Sequence, residues 1–144
     1  MTTKECVTFA RENPVCFLAT SDAGQPHVRT VLLWSADDTG FYFILLSPKK
    51  VCRQLKANPK AEVCFYNHAS DLSAARQLRV AGRMELITDA GTHARAVKER
   101  SFLEGMIGQP LAPITEVYRL SACDAHFWTL PDGLKEDRLE HVTF

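Results

Sequence analysis

Apolar and polar residues follow two different periods along the chain, and each period predicts a type of element. Short runs rich in Val, Phe, Tyr, Leu and Thr, separated by turns containing Asp, Gly, Asn or Pro, are typical of β-strands. Strands are predicted at residues 15–20, 26–34, 41–46, 61–67, 76–88, 115–123 and 125–130. Helices are predicted at residues 3–12, from Ser47 to Asn58, and from Asp89 to about Gly105.

The element pattern predicts one mainly β (α+β) domain spanning residues 1–144. Six or seven strands with turns between them, and only two or three flanking helices, favour an antiparallel β-barrel. A parallel α/β fold would need a helix between most strands. The continuous apolar run 41–46 is expected to be buried on both faces. The polar tail from Pro131 is expected to pack on a partner or to fray.

Composition narrows the class of protein. The 17 basic and 17 acidic residues cancel, which lowers the expectation of nucleic-acid binding. No apolar run resembles a signal peptide or approaches the ~18 residues of a membrane span, so we expect a cytoplasmic protein without a membrane partner. The five cysteines contain no C-x-x-C pair and the five histidines are dispersed, so neither disulfides nor a metal site are predicted.

Three basic residues suggest an anion site. Arg29 lies on the same strand face as Val31 and Leu33, where a small core would not be expected to hold a charge. In LLSPKK, Ser47 and Pro48 suit a helix start, and Lys49 and Lys50 occupy a first turn where acidic residues are usual. If strands 26–34 and 41–46 form a hairpin, all three cations can face one phosphate. The simpler alternative places these side chains in solvent.

An ordered set of segments resembles a known family. NPVCFLATSDAGQP, PHVRTVLLW, TGFYFILLSPKK, ANPKAEVCFY and RQLRVAGRMELI are similar in order and spacing to the flavin-binding core of the pyridoxamine 5′-phosphate oxidase-like family. The resemblance covers about residues 10 to 90. It implies a split β-barrel that binds flavin mononucleotide (FMN) at the interface of a homodimer. The implied cofactor-binding residues are Arg29, Thr30, Val31, Leu32, Leu33, Trp34, Ile44, Leu45, Lys49, Lys50, Gln77 and Trp128.

Within this resemblance, several positions differ from the oxidase. Trp34 stands where many members carry lysine, and Ile44 and Leu45 match positions that are more polar in the oxidase. The oxidase also carries a W-x-G-x-x-x-R-x-H-x-R segment near its end. Here Trp128 and Arg138 match its first and last letters, but Leu134 and Glu136 replace the Arg and His between them.

The resemblance therefore implies an FMN-dependent oxidoreductase whose substrate is not pyridoxamine phosphate. No general acid or base is identified. Two alternatives stay open: a protein that binds or senses a flavin, deazaflavin or haem without turnover, and a small nucleic-acid-binding barrel. His27 lies beside the predicted site, and a solvated strand residue is its simpler interpretation.

Overall fold

A computed structural model describes residues 1–144 as a six-stranded antiparallel barrel with one added strand and four α-helices. The strands are β1 Val15–Asp22, β2 Gln25–Asp37, β3 Gly40–Leu46, β4 Lys60–Tyr66, β5 Arg76–Ile87, β6 Thr115–Thr129 and β7 His141–Thr143. The helices are α1 Thr3–Glu12, α2 Lys50–Ala57, α3 Ala90–Glu99 and α4 Leu103–Ile107. The predicted mainly β barrel is confirmed, with four helices instead of two or three. None of these helices is long and apolar enough to cross a lipid bilayer.

The barrel closes because its strand order returns to its start. Neighbouring strands run in the order β3-β2-β1-β4-β5-β6, and β3 also pairs with β6. Closure leaves none of these six strands as a complete free edge. The added strand β7 pairs with the second half of β6, where Asp124 lies opposite Thr143 and His126 opposite His141.

Alternating apolar residues fill the barrel interior. Leu18, Phe43, Phe65, Val80 and Leu120, one from each of five strands, are fully buried. The expectation that β3 is buried on both faces is wrong, because every second β3 residue is only half-buried. A barrel strand turns one face to the core, and the other face of β3 borders a surface cleft.

The helix after β3 begins later than predicted. Ser47 is not its N-cap and Pro48 is not its first residue, because α2 begins at Lys50 with Lys49 as N-cap. The Ser47 N–H donates to the Ile114 carbonyl at 2.8 Å, and the Lys49 N–H donates to the Leu46 carbonyl at 3.0 Å. These bonds form a turn at the end of β3. Ser47 precedes Pro48, and the residue before a proline is disfavoured from adopting the helical conformation.

The last third of the chain departs most from the prediction. Asp89 caps α3 by accepting the Thr92 N–H at 2.7 Å, but the helix ends at Glu99 and not near Gly105. Segments 115–123 and 125–130 form one strand, β6, which bends at Ala122 with φ at 49°. The pairing register between β5 and β6 shifts near this residue. A β-bulge therefore lies where the sequence pattern predicts a boundary between two strands. The tail does not fray, since β7 pairs with β6.

Candidate functional site

A cleft of about 250 Å³ opens where β2 and β3 separate. The two strands pair only from Leu33 opposite Phe43 to Asp37 opposite Gly40. Before Leu33, β2 pairs with β1 alone, and after Phe43, β3 continues its pairing with β6. The cleft therefore occupies a split in the barrel wall, beside the start of α2.

Seven of the twelve predicted cofactor residues line this cleft: Arg29, Thr30, Val31, Leu32, Ile44, Leu45 and Lys49. Lys50 is the exposed first residue of α2, next to Lys49. Leu33 is buried in the core. The cleft does not include Trp34, Gln77 or Trp128 of the same chain.

Trp34 contacts α3 instead of the cleft. Its indole N–H donates to the Glu99 carboxylate at 2.5 Å, and the Arg95 guanidinium lies 4.8 Å from the centre of its ring. These two contacts fix the ring on the outside of the helix. In this chain, therefore, Trp34 attaches α3 to β2.

Gln77 and Trp128 lie opposite each other on β5 and β6. They line a separate pocket of about 190 Å³ together with Tyr66 and Leu72. The Gln77 side-chain carbonyl accepts the Cys64 thiol at 3.4 Å. The structure thus brings these two predicted residues together, but apart from the other ten.

Arg29 is held in place by neutral acceptors. Its guanidinium donates to the Thr20 hydroxyl at 2.8 Å, to the Gln54 side-chain carbonyl at 2.5 Å and to the Leu18 carbonyl at 3.3 Å. No carboxylate pairs with it. Partial burial lowers the pKa of Arg29, but a guanidinium remains charged in proteins. The result is a positioned cation without a counter-ion at one end of the cleft.

The start of α2 adds further positive character at the same end. The helix has no side-chain cap and no acidic residue in its first turn. As the first two residues of α2, Lys50 and Val51 have N–H groups with no acceptor inside the helix. None of the ion pairs in the structure includes Lys49 or Lys50. Free N–H groups at a helix N-terminus favour anions such as phosphate.

The opposite wall contains a buried hydroxyl without a partner. Thr115, at the start of β6, is 6% exposed, and its Oγ1 makes no hydrogen bond. Thr115 pairs with Leu46 at the end of β3, so it lies at the same end of the cleft as the start of α2. Toward the other end, Arg100 donates to the Leu33 carbonyl at 3.2 Å. Leu33 lies four residues beyond Arg29 along β2, which is roughly 13 Å at ~3.3 Å per residue. The cleft thus has polar groups at both ends and apolar side chains between them.

The backbone of β2 also offers hydrogen bonds to the cleft. The Leu33 N–H donates to the Pro14 carbonyl on the β1 side at 2.8 Å. Because backbone groups alternate between the two edges of a strand, those of Thr30 and Leu32 point away from β1, toward the cleft. No ladder with β3 reaches these two residues.

An exposed apolar patch begins at the cleft and crosses the outer face of β2 and β1. It comprises Val15 and Phe17 on β1 with Val28 and Leu32 on β2, and Val28 is 71% exposed. Leu32 belongs both to this patch and to the cleft wall. On the same sheet face, β4 lies beside β1, and Tyr66 of β4 pairs with Gln77 of β5. Contiguous exposed apolar area of this kind marks a contact surface.

The residues that sequence reasoning missed come mainly from the segment after α3. The missed cleft residues are Leu46, Val51, Arg100, Phe102, Leu103, Leu111 and Thr115. Leu46 and Val51 flank predicted residues in sequence and could have been included. The other five lie beyond residue 90, where the apolar pattern is loose, and they reach the cleft only through the tertiary fold.

The cysteines offer no activated nucleophile. Burial raises the pKa of Cys6 and Cys52 to about 11 and of Cys16 and Cys123 to about 12. Burial also raises the pKa of Cys64, beside Gln77. Because the thiolate is the nucleophile, all five are poor candidates for covalent catalysis.

The sequence matches the family described as pyridoxamine 5′-phosphate oxidase over residues 2–129. The pyridoxine/pyridoxamine 5′-phosphate oxidase of Cupriavidus taiwanensis is 42% identical over 167 residues, which cover 95% of this chain and 77% of that protein. The chain covers a smaller share of the length of other oxidases of this name. It matches 52% of the length of the protein from Anaeromyxobacter dehalogenans and 36% of one from Myxococcus xanthus.

Two solved structures share the fold. An FAD-binding protein from Mesorhizobium loti superposes with a TM-score of 0.64 at 22% identity, covering 87% of this chain and 92% of that one. HutZ, a haem storage protein from Vibrio cholerae, superposes with a TM-score of 0.62 at 20% identity, covering 81% and 87%. At these identities the similarity establishes the architecture alone.

Proposed function

The chain belongs to the pyridoxamine 5′-phosphate oxidase family, and we propose that its β2–β3 cleft binds FMN for an oxidoreductase reaction. The observation that carries this proposal is Arg29, a cation held by neutral acceptors beside the uncapped start of α2. An apolar cleft with a phosphate-type site at one end suits a planar ring joined to a phosphate. When bound, FMN supplies hydride or electron transfer.

The basic end of the cleft would hold the phosphate group. Arg29 can form paired hydrogen bonds to phosphate oxygens, and its position is fixed by Thr20 and Gln54. Lys49 contributes a second positive charge from the cleft wall, and the Lys50 and Val51 N–H groups are available as donors. Lys50 adds charge from its exposed position.

The rest of the cleft would hold the flavin ring. The side chains of Leu32, Ile44 and Leu111 offer apolar contact. The backbone groups of Thr30 and Leu32, which do not pair with β3, are suited to the polar edge of the ring. Arg100 places positive charge at this end, which would stabilise negative charge that develops there on reduction.

One chain supplies only part of this site, and we propose that a second copy completes it. The cleft of about 250 Å³ lies below the ~300–1,000 Å³ typical of small-molecule sites. The exposed patch of Val15, Phe17, Val28 and Leu32 adjoins the cleft. An apolar patch of this kind is expected to be buried against a partner surface. A second copy, related by a two-fold axis and packed on this patch, would bring its own Gln77 and Trp128 toward the first chain's cleft. Members of this family are generally dimers, which agrees with this proposal.

We propose a substrate other than pyridoxamine phosphate. The positions where the oxidase segment has Arg and His are occupied by Leu134, which is fully exposed, and by Glu136. The Glu136 carboxylate forms an ion pair with the Arg79 guanidinium, with 2.7 Å between Oε1 and Nη1. Neither residue offers a positive charge to a phosphorylated substrate at these two positions.

A second candidate function is ligand binding without turnover, and HutZ, which is named a haem storage protein, shares the fold. The ligand would be a flavin, a deazaflavin or haem. A tightly bound flavin that reoxidises slowly, without reductase activity, would support this candidate. The uncompensated charge of Arg29 favours a ligand with an anionic group, which a flavin phosphate or a haem propionate would supply.

The proposal is tested by comparing FMN with riboflavin, which lacks the phosphate. Arg29→Ala removes a charged hydrogen-bond donor, so FMN affinity should fall about 10- to 100-fold, following ~1.5–3 kcal/mol for such a bond. Riboflavin affinity should stay unchanged, as measured by fluorescence titration. The control Arg53→Ala changes an exposed arginine of α2 that does not line the cleft. Equal weakening of both ligands, or of neither, would contradict a phosphate role for Arg29.

A further inference from the structure

Three side chains that can ligate metals meet on the β6–β7 ribbon. Asp124 and His126 lie two residues apart on β6, so they share a face, and His126 pairs in register with His141 of β7. One donor atom from each residue lies within 4.8 Å of the other two. None of these residues lines the β2–β3 cleft.

The cluster contains a buried nitrogen without a partner. His126 Nδ1 is inaccessible to solvent and makes no hydrogen bond. Its ring lies 4.6 Å from the ring of His141, with 32° between the planes. His141 Nδ1 forms a 2.5 Å hydrogen bond with the Asp124 carboxylate. Buried polar atoms usually have partners, so the bare His126 nitrogen sets this cluster apart from an ordinary surface ion pair.

We propose that Asp124, His126 and His141 bind one divalent transition-metal ion of the Zn²⁺ type. Two imidazole nitrogens and one carboxylate oxygen form a donor set that suits Zn²⁺ and its neighbours. Mg²⁺ and Ca²⁺ prefer oxygen donors alone, so they are not expected here. Three protein ligands leave at least one coordination position for water.

Binding requires only a small rearrangement. Donors that share one metal lie about 3 Å apart when the bonds are ~2.0–2.2 Å long. The 2.5 Å contact between Asp124 and His141 must therefore open, and the metal ion takes the place of the proton held between them. Their side chains are 51% and 43% exposed, so both have room to turn.

The surrounding charges favour a cation. Arg79, which lies opposite His126 on β5, is the nearby positive side chain. It is already paired with Glu62 at 2.9 Å and with Glu136 at 2.7 Å. Two carboxylates thus offset one guanidinium, and Asp124 adds a third negative charge.

The bound ion would hold the last strand on the barrel. β7 has three residue pairs with β6. Beyond it, the Phe144 N–H donates to the Cys123 carbonyl at 3.0 Å, and the Phe144 ring lies 5.0 Å from that of Phe41. A metal shared by β6 and β7 would therefore fix the packing of Phe144 against the core. The sequence predicts no metal site because the two histidines are separated along the chain and meet only through strand pairing.

The test is calorimetric titration of the full, chelator-treated chain with Zn²⁺. We expect one ion per chain, and an increase in melting temperature with Zn²⁺, because a ligand that binds only the folded state stabilises it. His141→Phe keeps a ring against His126 but removes its donor atom, and Asp124→Asn removes the charge. Both should weaken Zn²⁺ binding by more than ~10- to 100-fold, because that is the loss expected when only a hydrogen-bond partner of a metal ligand is removed.

His27→Gln is the matched control, since it removes a histidine from β2 and should bind Zn²⁺ as the wild type does. Circular dichroism and metal-free melting of each variant establish that it is folded. If His141→Phe unfolds, Asp124→Asn alone decides. Failure of the wild type to take up Zn²⁺, or equal uptake by the folded variants, would overturn the proposal.

Discussion

Arg29 shows how neutral neighbours can hold a charge ready for a ligand. Its alternation with Val31 and Leu33 placed it on the inner face, where desolvation is costly. The Thr20 hydroxyl and Gln54 side-chain carbonyl satisfy its donors without neutralising the charge. A carboxylate partner would compete with phosphate. The arrangement therefore limits the cost of burial and leaves the charge available.

Thr115, which pairs with Leu46 at the end of β3, supports a second prediction about the cleft. Thr115→Val removes an unpartnered buried hydroxyl and keeps its shape, so the flavin-free protein should gain about 1 kcal/mol in unfolding free energy. The variant should also bind FMN less tightly, because it removes a polar group that lines the cleft. Urea unfolding and fluorescence titration measure the two effects.

Thr20→Val is the matched comparison for that prediction. The Thr20 hydroxyl is buried and bonded to Arg29 and Gln54, so its removal should cost about 1 kcal/mol. A Thr115→Val protein that loses as much stability as Thr20→Val would show that the Thr115 hydroxyl is satisfied in the folded protein.

At the scale of elements, local pattern predicted the first half of the chain better than the second. Helix α1 ends at Glu12, just before Asn13 and Pro14, and β2 and β3 follow turns that the sequence itself supplies. The single strand β6 and the short β7 depend on pairing with distant partners, so the local pattern alone was ambiguous. The same holds for the cleft: its β2 and β3 residues were predictable, whereas Arg100 and Thr115 arrive through packing.

Gly82 carries a prediction about the packing of β5 on β6. A Cβ added there would lie 2.7 Å from the Ser121 carbonyl oxygen and 3.2 Å from the Cys123 Cα. Backbone atoms cannot move aside as the end of a flexible side chain can. Gly82→Ala should therefore lower the free energy of unfolding by roughly 1–3 kcal/mol. Urea unfolding at fixed protein concentration measures the change.

Gly105→Ala provides the control for Gly82→Ala. Gly105 lies in α4, and nothing comes within 4 Å of an added Cβ. Alanine also favours helix, so this variant should be neutral or slightly more stable. If Gly82→Ala unfolds at the same urea concentration as Gly105→Ala, then β5 and β6 do not approach each other as closely at the bulge as the structure shows.

At the scale of the whole molecule, the proposed flavin site requires two copies of the chain. The exposed apolar patch, the small cleft and the separate position of Gln77 and Trp128 all have one explanation if each site is shared between protomers. Within one chain these features are unrelated. This explanation makes the flavin site a property of the dimer.

Mixing two defective variants tests the shared site. We expect Arg29→Ala and Gln77→Ala each to bind FMN weakly. After random exchange of subunits, half of the dimers contain one copy of each, and every such dimer has one intact site and one doubly altered site. FMN binding should then recover to about a quarter of all sites, as measured by titration. No recovery above the separate variants would place Arg29 and Gln77 in the same chain's site, or outside it.

The most direct measurement is the visible absorption spectrum of the purified wild-type chain during titration with FMN. We expect uptake of one FMN per chain, with flavin bands near ~370 and ~450 nm that shift on binding. Arg29→Ala should need far more FMN to produce the same shift. A wild-type protein that leaves the FMN spectrum unchanged at every concentration would contradict the central claim that the β2–β3 cleft is a flavin site.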